Sequence, residues 1–324
     1  MRALVLTLIG VVLSAFAHCA SGSEVWFAPN DDLGRGAGRD VFLNRDFSHL
    51  FDDSPAWSAK TDVFQITAFM ASLFGPETEL RRVDAFLKAR HIRLAVAIDA
   101  TVSDNPRPLG DTCGVGVEGA RRPGENTVIF RRLKKLGLEI AYVAMDEPLT
   151  FGHYFRGKAG CRYDIADTAR RAASAVAEVK AFYPDVRIVD YEAPPAMPTA
   201  RWHEDFQIWL KAYRQAAGAP LDAVVFDVDP FSDWRDRVRA GAAIAKQEGT
   251  RIGIFLVKPG EGHSDAEAVA DYKRAATIIE ASKIRFDIVE ISNWTIHPFD
   301  NLPETEPTTL THVLDWYNRR HGRR

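Results

Sequence analysis

The chain has 324 residues, 46% of them hydrophobic and 26% charged, with a formal net charge of -3. Those proportions describe a globular protein with ample core and exclude a disordered, low-hydrophobicity chain. Lys and Arg are spread along the chain with no basic stripe, so no nucleic-acid partner is expected.

Arg2, the apolar run Leu4 to Phe16 and the small residues Ala17, Ala20, Ser21 and Gly22 form a secretory signal peptide. The apolar run is too short for a membrane span, so no membrane association is expected once it is cleaved. Cleavage fits after Ala17 or after Gly22, and the second site removes Cys19. The expected division is a signal at 1–22 and one catalytic domain at 23–324. Cys113 and Cys161 then remain, and an even pair in an oxidising compartment is expected to bridge. The location expected is periplasmic or secreted.

Apolar runs follow with helical segments between them. Strands are predicted at Val25–Pro29, Asp62–Thr67, Arg93–Asp99, Glu139–Glu147, Val186–Tyr191, Asp222–Asp229, Arg251–Val257 and Phe286–Asn293. Apolar runs flanked by helices read as parallel strands buried on both faces. Ile165, Ala169, Ala172, Val176 and Val179 form one stripe of a helix that packs on a sheet. The segments Trp202–Ala217, Trp234–Gln247, Ala266–Ser282 and Thr308–Arg319 pattern similarly. Ser48 to Lys60 and Thr101 to Gly124 read as long loops. Eight strands alternating with helices predict an α/β fold, a single-domain (β/α)8 TIM barrel. An open doubly wound sheet would want a glycine-rich phosphate turn, and Gly34-Arg35-Gly36-Ala37-Gly38 leads into no helical pattern.

In such barrels the carboxyl ends of the strands carry the chemistry. Those ends offer Asp99, then Asp146 and Glu147 before Pro148, then Asp190 and Glu192, then Asp227 and Asp229, and Lys258. The eighth strand adds Glu290, Asn293 and Trp294. Clustered carboxylates repel and raise one another's pKa, a cost tolerated for glycoside cleavage or for a divalent-metal cradle. Two-residue alternation predicts that Asp190 and Glu192, and likewise Asp227 and Asp229, point into the barrel mouth. Glu290 lies deeper, where a salt bridge with an inward Arg or Lys is the plain role. Aromatic residues near these ends, Trp294 and Tyr191 among them, suit a carbohydrate substrate. His153 and His297 also fall near strand ends, where surface positions are the plainer reading. No His-Glu-x-x-His, zinc-like cysteine set or Gly-x-Ser-x-Gly elbow is present, and neither cofactor nor metal is expected.

At Tyr142 to Pro148 the sequence resembles clan A glycoside hydrolases, (β/α)8 enzymes whose fourth strand ends in Asn-Glu-Pro. Here the match is Asp146-Glu147-Pro148, and Trp294 resembles the tryptophan that clan places beneath the sugar. Two departures stand out. Asp146 replaces the Asn, and the seventh strand ends in Lys258-Pro259-Gly260 where the clan carries its nucleophilic Glu. The resemblance implies a glycosidase with Glu147 as general acid. The second carboxylate must come from elsewhere, with Asp229 or Asp227 preferred and Glu192 next. Strands four and six lie nearly a quarter-turn apart, a spacing compatible with a water between the carboxylates and hence with inversion. Asp99, Asp146, Asp190, Glu192, Lys258, Asn293 and Trp294 are expected to bind substrate. The function expected is an exported, monomeric enzyme cleaving a poly- or oligosaccharide. The alternatives are a carbohydrate-binding barrel without catalysis and a Schiff-base lyase or aldolase using Lys258. Among so many acids that amine would keep a high pKa and make a poor nucleophile.

Overall fold

The computed structural model describes residues 22–29, 47–52, 56–72, 75–102, 113–114, 116–197, 200–257 and 264–323. Eight parallel strands close on themselves: β1 (Glu24–Ala28), β2 (Val63–Thr67), β3 (Arg93–Ile98), β4 (Ile140–Met145), β5 (Arg187–Glu192), β6 (Ala223–Phe226), β7 (Arg251–Leu256) and β8 (Ile288–Ser292). β1 pairs with both β2 and β8, which closes the ring. Seven helices follow strands two to eight in turn: α1 (Glu77–Ala89), α2 (Glu125–Leu136), α3 (Ile165–Lys180), α4 (Trp202–Ala217), α5 (Arg235–Gln247), α6 (Asp265–Ala281) and α7 (Leu310–Arg320). The protein is therefore a single-domain (β/α)8 barrel, as the strand and helix periodicities predict. No helix among the described residues is long and apolar enough to cross a membrane.

The core has two layers, because successive residues of a strand point to opposite faces. Trp26, Val63, Ala95, Tyr142, Ala144, Val189, Tyr191, Val225, Phe255 and Ile288 pack together inside the ring. Their neighbours Phe27, Phe64, Val96, Val143, Ile188, Val224 and Ile254 pack outward against the helices. At the amino-terminal end of the strands, Glu24 pairs with Arg93 at 3.2 Å and with Arg251 at 3.3 Å. Arg187 lies 3.9 Å from the centre of the Tyr142 ring. These groups fill the lower end of the barrel and leave the carboxyl end for a ligand.

The first βα unit departs from the pattern. In place of a featureless loop, Ser48–Phe51 and Ala56–Lys60 form 3-10 turns. They carry Trp57 into the outer core, where it stacks on Phe86 at 5.6 Å and is fully buried. In the segment after β3, Thr101–Val102 pairs with Ala120–Arg121 as a short parallel bridge. Cys113 and Cys161 are joined, as expected, tying the segment after β3 to the segment after β4. Beside the bridge the Gly114 N–H donates to the Ala159 carbonyl at 2.7 Å.

Candidate active site

β4 ends at Met145, and the Asp146 N–H still donates across to the Ile98 carbonyl at 2.9 Å. The next residue, Glu147, takes φ 42°. That left-handed backbone is costly for any side chain with a Cβ, and the ring of Pro148 crowds it further. The turn is held from behind. Glu192 accepts from the Leu149 N–H at 2.6 Å, the Thr150 N–H at 3.1 Å and the Thr150 hydroxyl at 2.7 Å. Gly119 presses on the same corner. With φ +70° it brings its backbone so close to the Asp146 carbonyl that a Cβ there would sit 2.4 Å from the oxygen. The result is a Glu147 carboxyl that is only 8% exposed yet lines a cleft at the carboxyl end of the barrel.

The cleft measures about 1420 Å³, larger than the roughly 300–1,000 Å³ of small-molecule pockets. Its floor is formed by Gln65, Tyr191, Asp146, Glu147 and Asp227. Phe69, Val128, Arg132, Asp99, Glu118 and Arg121 line the cleft as well. Trp294 stands at the rim, 51% exposed, its ring edge-on to Phe255 at 5.2 Å.

Glu147 and Asp227 are in hydrogen-bond contact across the floor. Burial pushes the Glu147 carboxyl well above its ordinary range, and the nearby Asp227 and Asp146 add to the rise. Burial also lifts Asp227, to about 6, while the hydrogen bond from Glu147 works against that rise. Burial thus holds both carboxyls above their ordinary range, and the two titrate as a pair. Asp146 is raised as well, by burial first and then by Glu118 and Asp99.

The remaining expected residues divide. Asp99 lines the cleft and pairs with Arg121 at 3.2 Å. Asn293 also lines it, but its amide is engaged locally, donating to the Pro298 carbonyl and accepting from Thr295. Asp190 and Glu192 do not point into the mouth. On β5 the inward positions are Val189 and Tyr191, so both acids face the helices, where Asp190 accepts from the Trp209 indole at 2.8 Å. β6 stops at Phe226, earlier than expected, and Asp229 lies in the exposed turn beyond it. There its carboxylate accepts from the Phe231 N–H at 2.9 Å, away from the cleft. Lys258 lies outside the described residues. Glu290 has no inward cation among the described residues; it bonds to Gln65 and Tyr191. His153 and His297 serve locally, on the Tyr163 carbonyl and on Asp265 respectively.

Sequence reasoning passed over Glu118, Arg121, Arg132 and Gln65. Glu118 and Arg121 come from a long loop with no periodicity to place them. Gln65 did leave a signal, as the polar residue inside the apolar stretch Val63–Ile66.

No protein-family model matches the chain, and no curated protein does. Solved structures do match in fold. A candidate alpha-L-fucosidase of Bacteroides thetaiotaomicron superposes with a TM-score of 0.54 at 9% identity, covering 100% of this chain and 99% of that one. A glycoside hydrolase family 10 endoxylanase retrieved from a sugarcane soil metagenome gives 0.52 at 9% identity, with coverages of 92% and 98%. A psychrophilic endo-beta-1,4-xylanase of the same family gives 0.50 at 12%, covering 84% and 86%. At these identities the likeness is one of fold, and the fold is the (β/α)8 barrel that clan A glycoside hydrolases share.

Proposed function

We propose that the protein is an exported glycosidase that cleaves a poly- or oligosaccharide by carboxylate acid–base catalysis. The observation that carries this reading is the Glu147–Asp227 pair: a carboxyl on a left-handed backbone beside a second acid raised by burial, both lining a large cleft with an exposed Trp294 at its rim. In this scheme a sugar ring stacks on Trp294, presenting its C–H face to the indole. The glycosidic oxygen enters between the two carboxyls and takes the proton of Glu147. Asp227, left ionised, faces the developing positive charge and serves the water or nucleophile step. Asp99 and Asp146 accept from sugar hydroxyls. Residues 1–22 act as the export signal and 23–324 as the catalytic barrel. The Cys113–Cys161 bridge suits an oxidising, extracytoplasmic compartment.

Release of reducing ends from a panel of polysaccharides tests the reading, with Glu147→Gln as the inactive control. Binding of the same polysaccharides with no cleavage by the wild-type protein would sink it and favour a carbohydrate-binding barrel.

A further inference from the structure

Beneath the dyad, three buried side chains meet in a closed ring. Glu290 Oε1 meets Gln65 Nε2 at 3.0 Å, and Glu290 Oε2 meets the Tyr191 hydroxyl at 2.9 Å. That same hydroxyl also meets Gln65 Oε1. All three groups are buried, and Glu290 is wholly so. No ion pair reaches Glu290 among the described residues; its register neighbours Trp26 on β1 and Phe255 on β7 bring no charge. The titratable groups that bear on the ring are Asp227 at the β6 tip, acting on Glu290, and Asp146 at the β4 tip, acting on Tyr191. Both are acids.

Three contacts need three protons. The Gln65 amide supplies one and the Tyr191 hydroxyl supplies one. Turning the amide over changes nothing, because its oxygen and nitrogen merely exchange places in the ring. An ionised Glu290 supplies none, so one contact would press two oxygen lone pairs together away from water. A protonated Glu290 closes the ring in one direction. Its Oε2–H donates to the tyrosine oxygen, the tyrosine O–H donates to Gln65 Oε1, and Gln65 Nε2–H donates back to Glu290 Oε1.

We infer that Glu290 is a neutral carboxylic acid and a positioning residue, whose proton completes the ring that fixes Tyr191 and Gln65 in the cleft floor. Burial agrees with the proton count, pushing Glu290 to about 8, against the hydrogen bonds from Tyr191 and Gln65 and with Asp227 adding to the rise. A neutral ring also keeps a further negative charge from lying under Asp146 and Asp227. Loss of the proton would open the ring and place an anion there. The protonation state stands apart from the glycosidase reading; its effect on turnover rests on that reading.

The test compares the wild-type protein with E290Q and E290L. Glutamine is neutral and donates from its amide, so E290Q should close the same ring. Near neutral pH, the infrared difference spectrum of wild type minus E290Q should contain the C=O stretch of a protonated carboxylic acid. E290Q should fold with a thermal midpoint no lower than wild type. Its midpoint should also decline less steeply than that of the wild type as pH rises toward about 8, with Glu192 supplying what decline remains. E290L, neutral but unable to close the ring, should have a lower midpoint and, with a cleaved substrate in hand, turnover reduced about tenfold while E290Q stays near wild type. Absence of the acid band, failure of E290Q to fold, or loss of turnover in E290Q by about 100-fold would each overturn the inference. The infrared and stability measurements need no substrate, so they decide it even if no polysaccharide is cleaved.

Discussion

Glu147 combines two costs that an ordinary surface acid avoids: a left-handed backbone ahead of a proline, and a buried carboxyl near four other acids. Non-glycine residues in that region persist where surrounding contacts over-determine them, and such sites cluster at functional centres. If the proton of Glu147 is the one transferred, Glu147→Gln should lower turnover of substrates with poor leaving groups by about 10²–10⁴-fold. An activated aryl glycoside, which needs little protonation, should lose much less. Asp227→Asn should instead depress both substrates alike. Equal losses on both substrates for Glu147→Gln would reassign that residue to binding or to attack. The acidic limb of kcat/KM belongs to Asp227, which must be ionised, and should fall near pH 6; a limb near 4 would mean that the working carboxylate is an exposed one. At this scale the sequence puts Glu147 and Asp227 at strand ends, where both line the cleft, but misplaces Asp229, Asp190 and Glu192. Parity along a strand is legible only when one face is polar. In Arg187–Glu192 both faces are buried, so nothing in the letters says which of Val189 and Asp190 looks inward.

Strand β5 shows what its acids do instead. Glu192 receives two backbone N–H groups and a hydroxyl from the turn after β4, so it fixes the corner on which Glu147 sits. Glu192→Ala should leave those donors unsatisfied at about 1–3 kcal/mol each and lower the thermal midpoint accordingly. It should also reduce kcat more than it raises KM, because the acid loses its aim while the Trp294 rim is untouched. A variant with unchanged midpoint and kcat would show that the turn holds itself. The elements themselves are well marked in the sequence, and for a physical reason. Each barrel strand is a mainly apolar run, and several helices open on a side-chain cap: Asp164 for α3, Ser264 for α6 and Thr309 for α7. The first βα unit is the exception. Its aromatic residues are spaced for 3-10 turns over the outer core, a pattern with no sharp period to read.

Across the whole molecule two linkages follow. The Cys113–Cys161 bridge closes a loop with a sequence separation of 48, which in the chain-entropy account contributes about 4 kcal/mol. Thermal unfolding with and without a reductant should show a corresponding drop. The buried acids set the second linkage. Asp227 is raised from 3.8 to about 6, and Glu192 and Glu290 from 4.5 to about 8, in each case chiefly by burial. The folded protein therefore binds more protons than the unfolded chain across that range. Stability from these groups is complete below their ordinary values and is lost as pH rises through the folded ones. Asp227 alone, moved from 3.8 to about 6, contributes at most about 3 kcal/mol in this way. Glu24 works in the opposite direction. Burial tends to raise it, but the adjacent Arg251 and Arg93 outweigh that and hold it below 4.5, so its contribution is present above that value and lost in acid. The two effects together predict a maximum of stability at mildly acidic pH and a steady decline toward pH 8. Asp227→Asn should flatten the first part of that decline and raise the thermal midpoint above pH 6, even as it abolishes activity. A midpoint that rises between pH 5 and pH 8 in the wild-type protein would mean that these carboxyls are not buried as acids.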